Sequence, residues 1–124
     1  MLRTVASSII RKVYMPHDEN LAARVKRKLK GKKNILEKKM FGGVAFLLNG
    51  NMAVGVNKND LIVRVDSEDH DQLVSQKHVR TFDLSGGRPM KGWLLVAPAG
   101  VKAEKDLNAW IQRGIDYAGS LPKK

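Results

Sequence analysis

The dipeptide Asn49-Gly50, which stands between two apolar runs, constrains this fold more than any other feature of the sequence. Both residues accept the positive φ angles of a type I′ turn, so the pair predicts a tight hairpin between strands over residues 44–49 and 51–56. Hairpin-linked strands are antiparallel. The chain is therefore expected to build on an antiparallel sheet.

The hairpin also predicts which side chains share a face. Counting outward from the turn places Phe46 opposite Ala53, a large ring against a small side chain, as close packing favours. In this register both faces of the hairpin are apolar. Two later segments, residues 61–65 and 93–97, are also almost continuously apolar, which is typical of strands covered on both faces.

Helical periodicity and capping residues complete the order of elements. Asp18 is a suitable N-cap for a first helix, and Gly31 is a natural stop. The remaining predicted elements are a short helix over 67–76, strands over 80–84 and 93–97, and a last helix over 103–119. This order predicts a two-layer α+β domain, α-β(3)-α-β(2)-α, with a mainly antiparallel sheet and helices on one face.

A sheet that is apolar on both faces raises the question of what covers the second face. Three helices, one of them short, cover one face of a five-stranded sheet comfortably, but not two. We therefore expect a homodimer packed through the uncovered face. The alternative is a division of the helices between the two faces.

The charge is strongly positive and uneven along the chain. Lys and Arg number 23 against 12 Asp and Glu; residues 1–39 hold 12 basic and 3 acidic side chains, and residues 40–124 hold 11 and 9. This asymmetry indicates either an anionic partner or a solvated basic helix face. Nucleic-acid binding here would be salt-sensitive and independent of base sequence. The candidate contacts are Lys26, Arg27, Lys30, Lys32, Lys33, Arg88 and Lys91.

No residue pattern points to catalysis, a metal or a cofactor, so we expect a non-enzymatic protein without either. The chain has no cysteine, and its three histidines lack metal-ligand spacing, so we expect them to be surface or hydrogen-bonded structural residues. The segment Met40-Phe41-Gly42-Gly43 does not match a dinucleotide fingerprint. We interpret it as the bent entry to the sheet, where Gly43→Val should destabilise the fold.

The N-terminal segment is expected to be an extension outside the fold. Residues 1–14 are basic and free of acids, which is loosely similar to an organellar transit peptide, although Met15 could equally open the domain. We assign residues 1–16 to an N-terminal extension and residues 17–124 to one domain. No apolar run approaches the roughly 20 residues that a membrane span requires, so no membrane association is expected.

From residue 17 to the last, the chain resembles the N-terminal domain of the TfoX/Sxy family. The similarity is carried by KKMFGG, the NGNM hairpin, GRPMKGW and the closing SLP, in that order. It implies a small α/β domain of the predicted order in a bacterial, cytoplasmic protein, which argues against a transit peptide. The family's namesake regulates natural competence together with a transcription activator. The resemblance therefore implies an accessory regulator with a protein partner, and it supplies no catalytic residues to transfer onto this chain.

Overall fold

A computed structural model describes residues 18–40, 42–83 and 90–124. Within them the helices are α1 (Glu19–Leu29), α2 (His70–Val74) and α3 (Glu104–Ser120), and the strands are β1 (Ile35–Met40), β2 (Gly43–Leu48), β3 (Asn51–Asn57), β4 (Asp60–Arg64), β5 (Val79–Thr81) and β6 (Trp93–Val96). The strands form one antiparallel sheet in the order β1-β2-β3-β4-β6-β5. The predicted α+β class with an antiparallel sheet is confirmed.

The structure adds one strand, β1, to the predicted order. Its sequence, ILEKKM, contains Glu and Lys, which have a low preference for strands, and it becomes a strand through its pairing with β2. Met40 pairs with Gly43, and Gly42 between them has φ +70°. The interpretation of this segment as the entry to the sheet is wrong, because β1 precedes it and Met40 pairs with Gly43 across two strands. Phe41 lies outside the described residues.

The Asn49-Gly50 turn is confirmed, but the predicted register holds for only the first pairs beyond it. Asn49 and Gly50 have φ +53° and +84°, as a type I′ turn requires. Farther from the turn, a bulge shifts the register, so that Phe46 pairs with Val54 and the predicted pairing with Ala53 is wrong. The extra residue of the bulge brings Val54 to the same face as Phe46.

The three described helices pack on one face of the sheet, as predicted. Asp18 caps α1 by accepting hydrogen bonds from the N–H groups of Asn20 at 2.9 Å and Leu21 at 3.1 Å. Amphipathic spacing then turns one stripe of each long helix onto the sheet. The buried stripe residues are Leu21, Val25 and Leu29 of α1 and Leu107, Ile111, Ile115 and Ala118 of α3.

The middle of the opposite face of the sheet is already buried within the single chain. Ile62 is 1% exposed and Leu95 is 8% exposed, and Phe82, which follows β5, is buried with them. No described helix contributes to this second cluster. The argument for a homodimer assumed that this face lies open, and that assumption is wrong. The homodimer itself stays a prediction.

Some sequence predictions fall on residues outside the described ranges. They include the extension over residues 1–16, the last residue of the strand predicted over 80–84, and the candidate contact Arg88. Among the residues that the structure does describe, no helix has the length and apolar character to cross a bilayer.

Candidate functional site

A groove of about 920 Å³ lies on the helix-bearing face, between α1 and the first two strands. The α1 side contributes Glu19, Ala22, Ala23, Lys26, Arg27, Leu29, Lys30 and, just beyond the helix, Lys32; the strand side contributes Ile35, Glu37, Lys39, Val44 and Phe46.

Local periodicity explains why charged side chains line this groove. The stripe of α1 that packs on the sheet includes Val25 and Leu29, so the neighbouring positions Lys26 and Lys30 lie at the margin of the packed face. Side chains in a strand alternate between faces, and Phe46 opposite Glu37 lies on the helix-bearing face. The odd-numbered residues of β1 therefore face the groove.

The charged side chains that line the groove are predominantly cationic. Its five cations, Lys26, Arg27, Lys30, Lys32 and Lys39, outnumber the two carboxylates, Glu19 and Glu37. Lys26 Nζ lies 3.0 Å from Glu37 Oε1, and both side chains are largely solvent-exposed. Among the described residues, this is the ion pair that reaches into the groove. Exposed pairs of this kind contribute little to stability, so the cations remain available to an anionic partner.

The apolar side chains at the bottom of the groove are largely buried and leave no open pocket. Val44 is 3% exposed and Phe46 is 2% exposed, while Ile35 is half-buried. The lining contains one aromatic ring, that of Phe46, and its burial leaves no face on which a nucleobase could stack. The groove therefore offers charge rather than a deep apolar pocket.

Two other cations of α1 have structural partners away from the groove. Arg24 contacts Glu104 Oε1 at 2.8 Å and donates to the carbonyl of Val101 at 3.0 Å, and Lys28 Nζ lies 3.0 Å from Glu104 Oε2. Hydrogen bonds from Lys28 and from Arg24 hold the pKa of the Glu104 carboxyl below its ordinary value of 4.5. These contacts join α1 to the start of α3.

The structure brings together only part of the predicted contact set. Lys26, Arg27, Lys30 and Lys32 share the groove, whereas Lys33 is exposed but does not line it. Lys91 is separate from the groove, and its Nζ lies 3.6 Å from Asp71 Oδ2. The anion-contact role of Lys33, Lys91 and Arg88 stays a prediction.

Sequence reasoning missed Lys39 because it missed the strand that carries it. A weak signal was present in the sequence, since Gly42 precedes an apolar run and glycine is common in hairpin connections. Treating ILEKKM as a strand would have placed Lys39 and Glu37 on one face.

His70 is a structural residue. It is 4% exposed; its Nδ1 accepts the N–H of Gly92 at 2.9 Å, and its Nε2 lies 2.9 Å from Thr81 Oγ1. This confirms, for His70, the expectation of a hydrogen-bonded structural histidine. In the described part of the chain, no group of three or more His, Cys, Asp or Glu side chains is placed to hold a metal ion.

Comparison with protein families gives one match. The family described as TfoX N-terminal domain matches residues 27–118 of the 124-residue chain. The matched segment begins within α1 and ends within α3, so it includes the strands and most of the groove. Searches of curated proteins and of solved structures found no match.

Proposed function

This chain belongs to the TfoX N-terminal domain family, and from that premise we propose that it is a non-enzymatic protein-interaction module, an accessory regulator of transcription or competence. The observation that carries the proposal is the position of the groove. Its cations lie directly beside β1, an edge strand of the sheet, so charge and an open strand edge occur on one surface. Such a surface suits a protein partner.

The chemistry of the lining supports a binding role rather than catalysis. Hydroxyl, thiol and imidazole side chains are absent from the residues that line the groove. Its carboxylates, Glu19 and Glu37, are exposed, and a general acid or base normally requires a more enclosed environment. Cations on an exposed surface instead favour the recognition of an anionic partner.

The test compares two double variants with the same change in net charge. Lys26→Glu with Lys30→Glu reverses charge in the groove, and Lys77→Glu with Lys123→Glu reverses it at exposed positions outside the groove. Tagged proteins are used to capture partners from nuclease-treated native lysate. We expect the groove variant to lose the protein that the wild type retains, and the control to keep it. Equal retention by both variants would refute the proposal.

A second candidate function, nucleic-acid binding, is favoured by the density of cations around α1. Residues 24–39 contain nine Lys and Arg residues and one acid, Glu37. If these cations contact phosphates, the affinity for DNA measured by fluorescence anisotropy should fall steeply between about 50 and 200 mM salt. Lys26→Glu with Lys30→Glu should reduce the slope of this salt dependence. Absence of binding to duplex or single-stranded DNA at the lower salt concentration removes this candidate.

The homodimer predicted from sequence belongs with these proposals, as does the cytoplasmic location that the family resemblance implies. The dimer now lacks the argument from an open sheet face, because Ile62 and its neighbours are buried in one chain. Sedimentation velocity at micromolar concentration tests it directly. A monomer there would rule out a stable dimer without affecting the groove.

A further inference from the structure

The outer side of β1 carries backbone groups that no described strand uses. Asn49 donates its N–H to the carbonyl of Asn34 at 3.1 Å, in the same register as the β1–β2 pairs. Because bonded positions alternate in an antiparallel pair, the even-numbered residues of β1 are bonded to β2. The N–H and C=O groups of Ile35, Glu37 and Lys39 therefore point away from the sheet.

The side chains around this edge differ between the two faces. The odd-numbered residues of β1 face the cationic groove, and Lys39 is one of its lining residues. On the opposite face, Leu36 is 59% exposed and Met40 is partly buried. Leu36 is the large hydrophobic residue that stands out as exposed within the described chain. The edge thus combines cations on one face with an accessible apolar side chain on the other.

We propose that β1 receives an extended acidic segment of a partner protein as a seventh strand. Its backbone bonds to the outward groups of Ile35, Glu37 and Lys39, its carboxylates lie over the groove, and its apolar side chains cover Leu36 and Met40. This inference deepens the proposed function and depends on it. It specifies the partner's chemistry as a strand that alternates acidic and apolar residues.

Charge favours an acidic strand over a second copy of this chain and over the chain's own residues 1–17. A second copy would bring the five cations of the groove against the same five, and residues 1–17 of this chain hold three cations and no acid. Both are repelled by the groove. Nucleic acid would be attracted, but it offers neither a strand backbone for the edge nor apolar side chains for Leu36. An acidic strand satisfies the charge, the open backbone groups and the apolar contact together.

The first experiment uses synthetic peptides with the wild-type protein. The probe is a fluorescein-labelled peptide of about eight residues that alternates glutamate and valine, enough to span the strand. The proposed pairing is antiparallel, so the N–H groups of the glutamates face β1. One derivative is N-methylated on the glutamates, and the matched control is N-methylated on the valines. We expect the wild type to bind the unmodified peptide and the valine-methylated control, and not to bind the glutamate-methylated derivative.

The second experiment removes a single donor from the protein. Glu37→Pro deletes the central outward N–H, a position where an edge strand tolerates proline, and Glu37→Thr is the reference because it removes the same carboxylate and keeps the N–H. We expect the proline variant to bind the peptide about 2- to 10-fold more weakly than the threonine variant, which corresponds to one net backbone hydrogen bond. Thermal unfolding of both variants verifies that they fold.

Amide hydrogen exchange in the wild type adds a readout that attraction between charges does not produce. Peptide binding should newly protect the N–H groups of Ile35, Glu37 and Lys39, and should leave Leu36 and Lys38, already bonded to β2, unchanged. If methylation and proline have no effect while Lys26→Glu with Lys30→Glu abolishes binding, strand addition is wrong and the proposed function stands. No peptide binding by the wild type at about 1 mM also overturns strand addition. The lysate capture then decides separately whether the proposed function survives.

Discussion

Replacing Gly43 with alanine tests how closely β2 and β3 approach each other. A Cβ atom built at Gly43 would overlap the carbonyl oxygen of Val56 and would lie 3.2 Å from the Cα of Asn57. Gly43 is not among the glycines at positive φ, so the cost of the substitution is steric rather than conformational. Ordinary carbon–oxygen contacts are about 3.3 Å or longer. The two strands must therefore separate where Val44 pairs with Val56.

The magnitude follows from the ladder that this separation disturbs. Moving the strands apart by about 1 Å carries the adjacent backbone bonds out of the useful distance range. Two such bonds at about 0.5–1.5 kcal/mol each, together with residual strain, give a loss of about 2–4 kcal/mol in the free energy of unfolding. For a chain of this size, such a loss corresponds to a decrease of roughly 10 °C in Tm. Valine, the substitution suggested by the sequence, should cost more.

Urea denaturation followed by circular dichroism measures this loss, and Gly31→Ala provides the comparison. Gly31 has φ +88° with nothing within 4 Å of a built Cβ, so alanine there incurs only the left-handed backbone cost of about 1 kcal/mol. We expect Gly43→Ala to be clearly the more destabilising of the two. If the two variants have the same midpoint, the steric reasoning is wrong.

Three further predictions concern other contacts of the fold. Gly114→Ala should destabilise the protein although alanine is the better helix former, because its Cβ would lie 2.5 Å from the carbonyl oxygen of Ala53; thermal unfolding measures the loss, and a higher Tm would contradict it. His70→Phe should cost about 2–3 kcal/mol in urea denaturation because it leaves the Gly92 N–H without its acceptor, and a loss below about 0.5 kcal/mol would show that this bond is unimportant. The lowered pKa of Glu104 means that its carboxylate stabilises the fold at pH values above the ordinary carboxyl pKa of 4.5, and that this stabilisation is lost as the pH falls through the lower folded-state pKa. Glu104→Gln should remove this contribution to the free energy of unfolding. The stabilities of the wild type and of the Glu104→Gln variant, measured as urea midpoints from about pH 6 downward, should therefore converge in acid, and a difference that grows in acid would reverse the sign.

Part of the candidate site was predictable from sequence because α1 is specified locally. Asp18 caps the helix, its apolar stripe has helical spacing, and Lys26 and Lys30 follow beside that stripe. The groove was not predictable, because its second wall comes from β1. Glu37 and Lys39 enter it only when ILEKKM pairs with β2. Binding sites formed by two elements depend on that long-range pairing.

The sequence alone determines three features: the Asn49-Gly50 turn, the α+β class and the side of α1 that packs inward. Each depends on backbone preference or on periodicity over a few positions. Three features depend on contacts between distant segments: the strand β1, the bulge that moves Phe46 away from Ala53, and the burial of Ile62 on the second face. The physical reason is that strand pairing and burial depend on hydrogen bonds and packing between segments far apart in the chain, and these override weak local preferences.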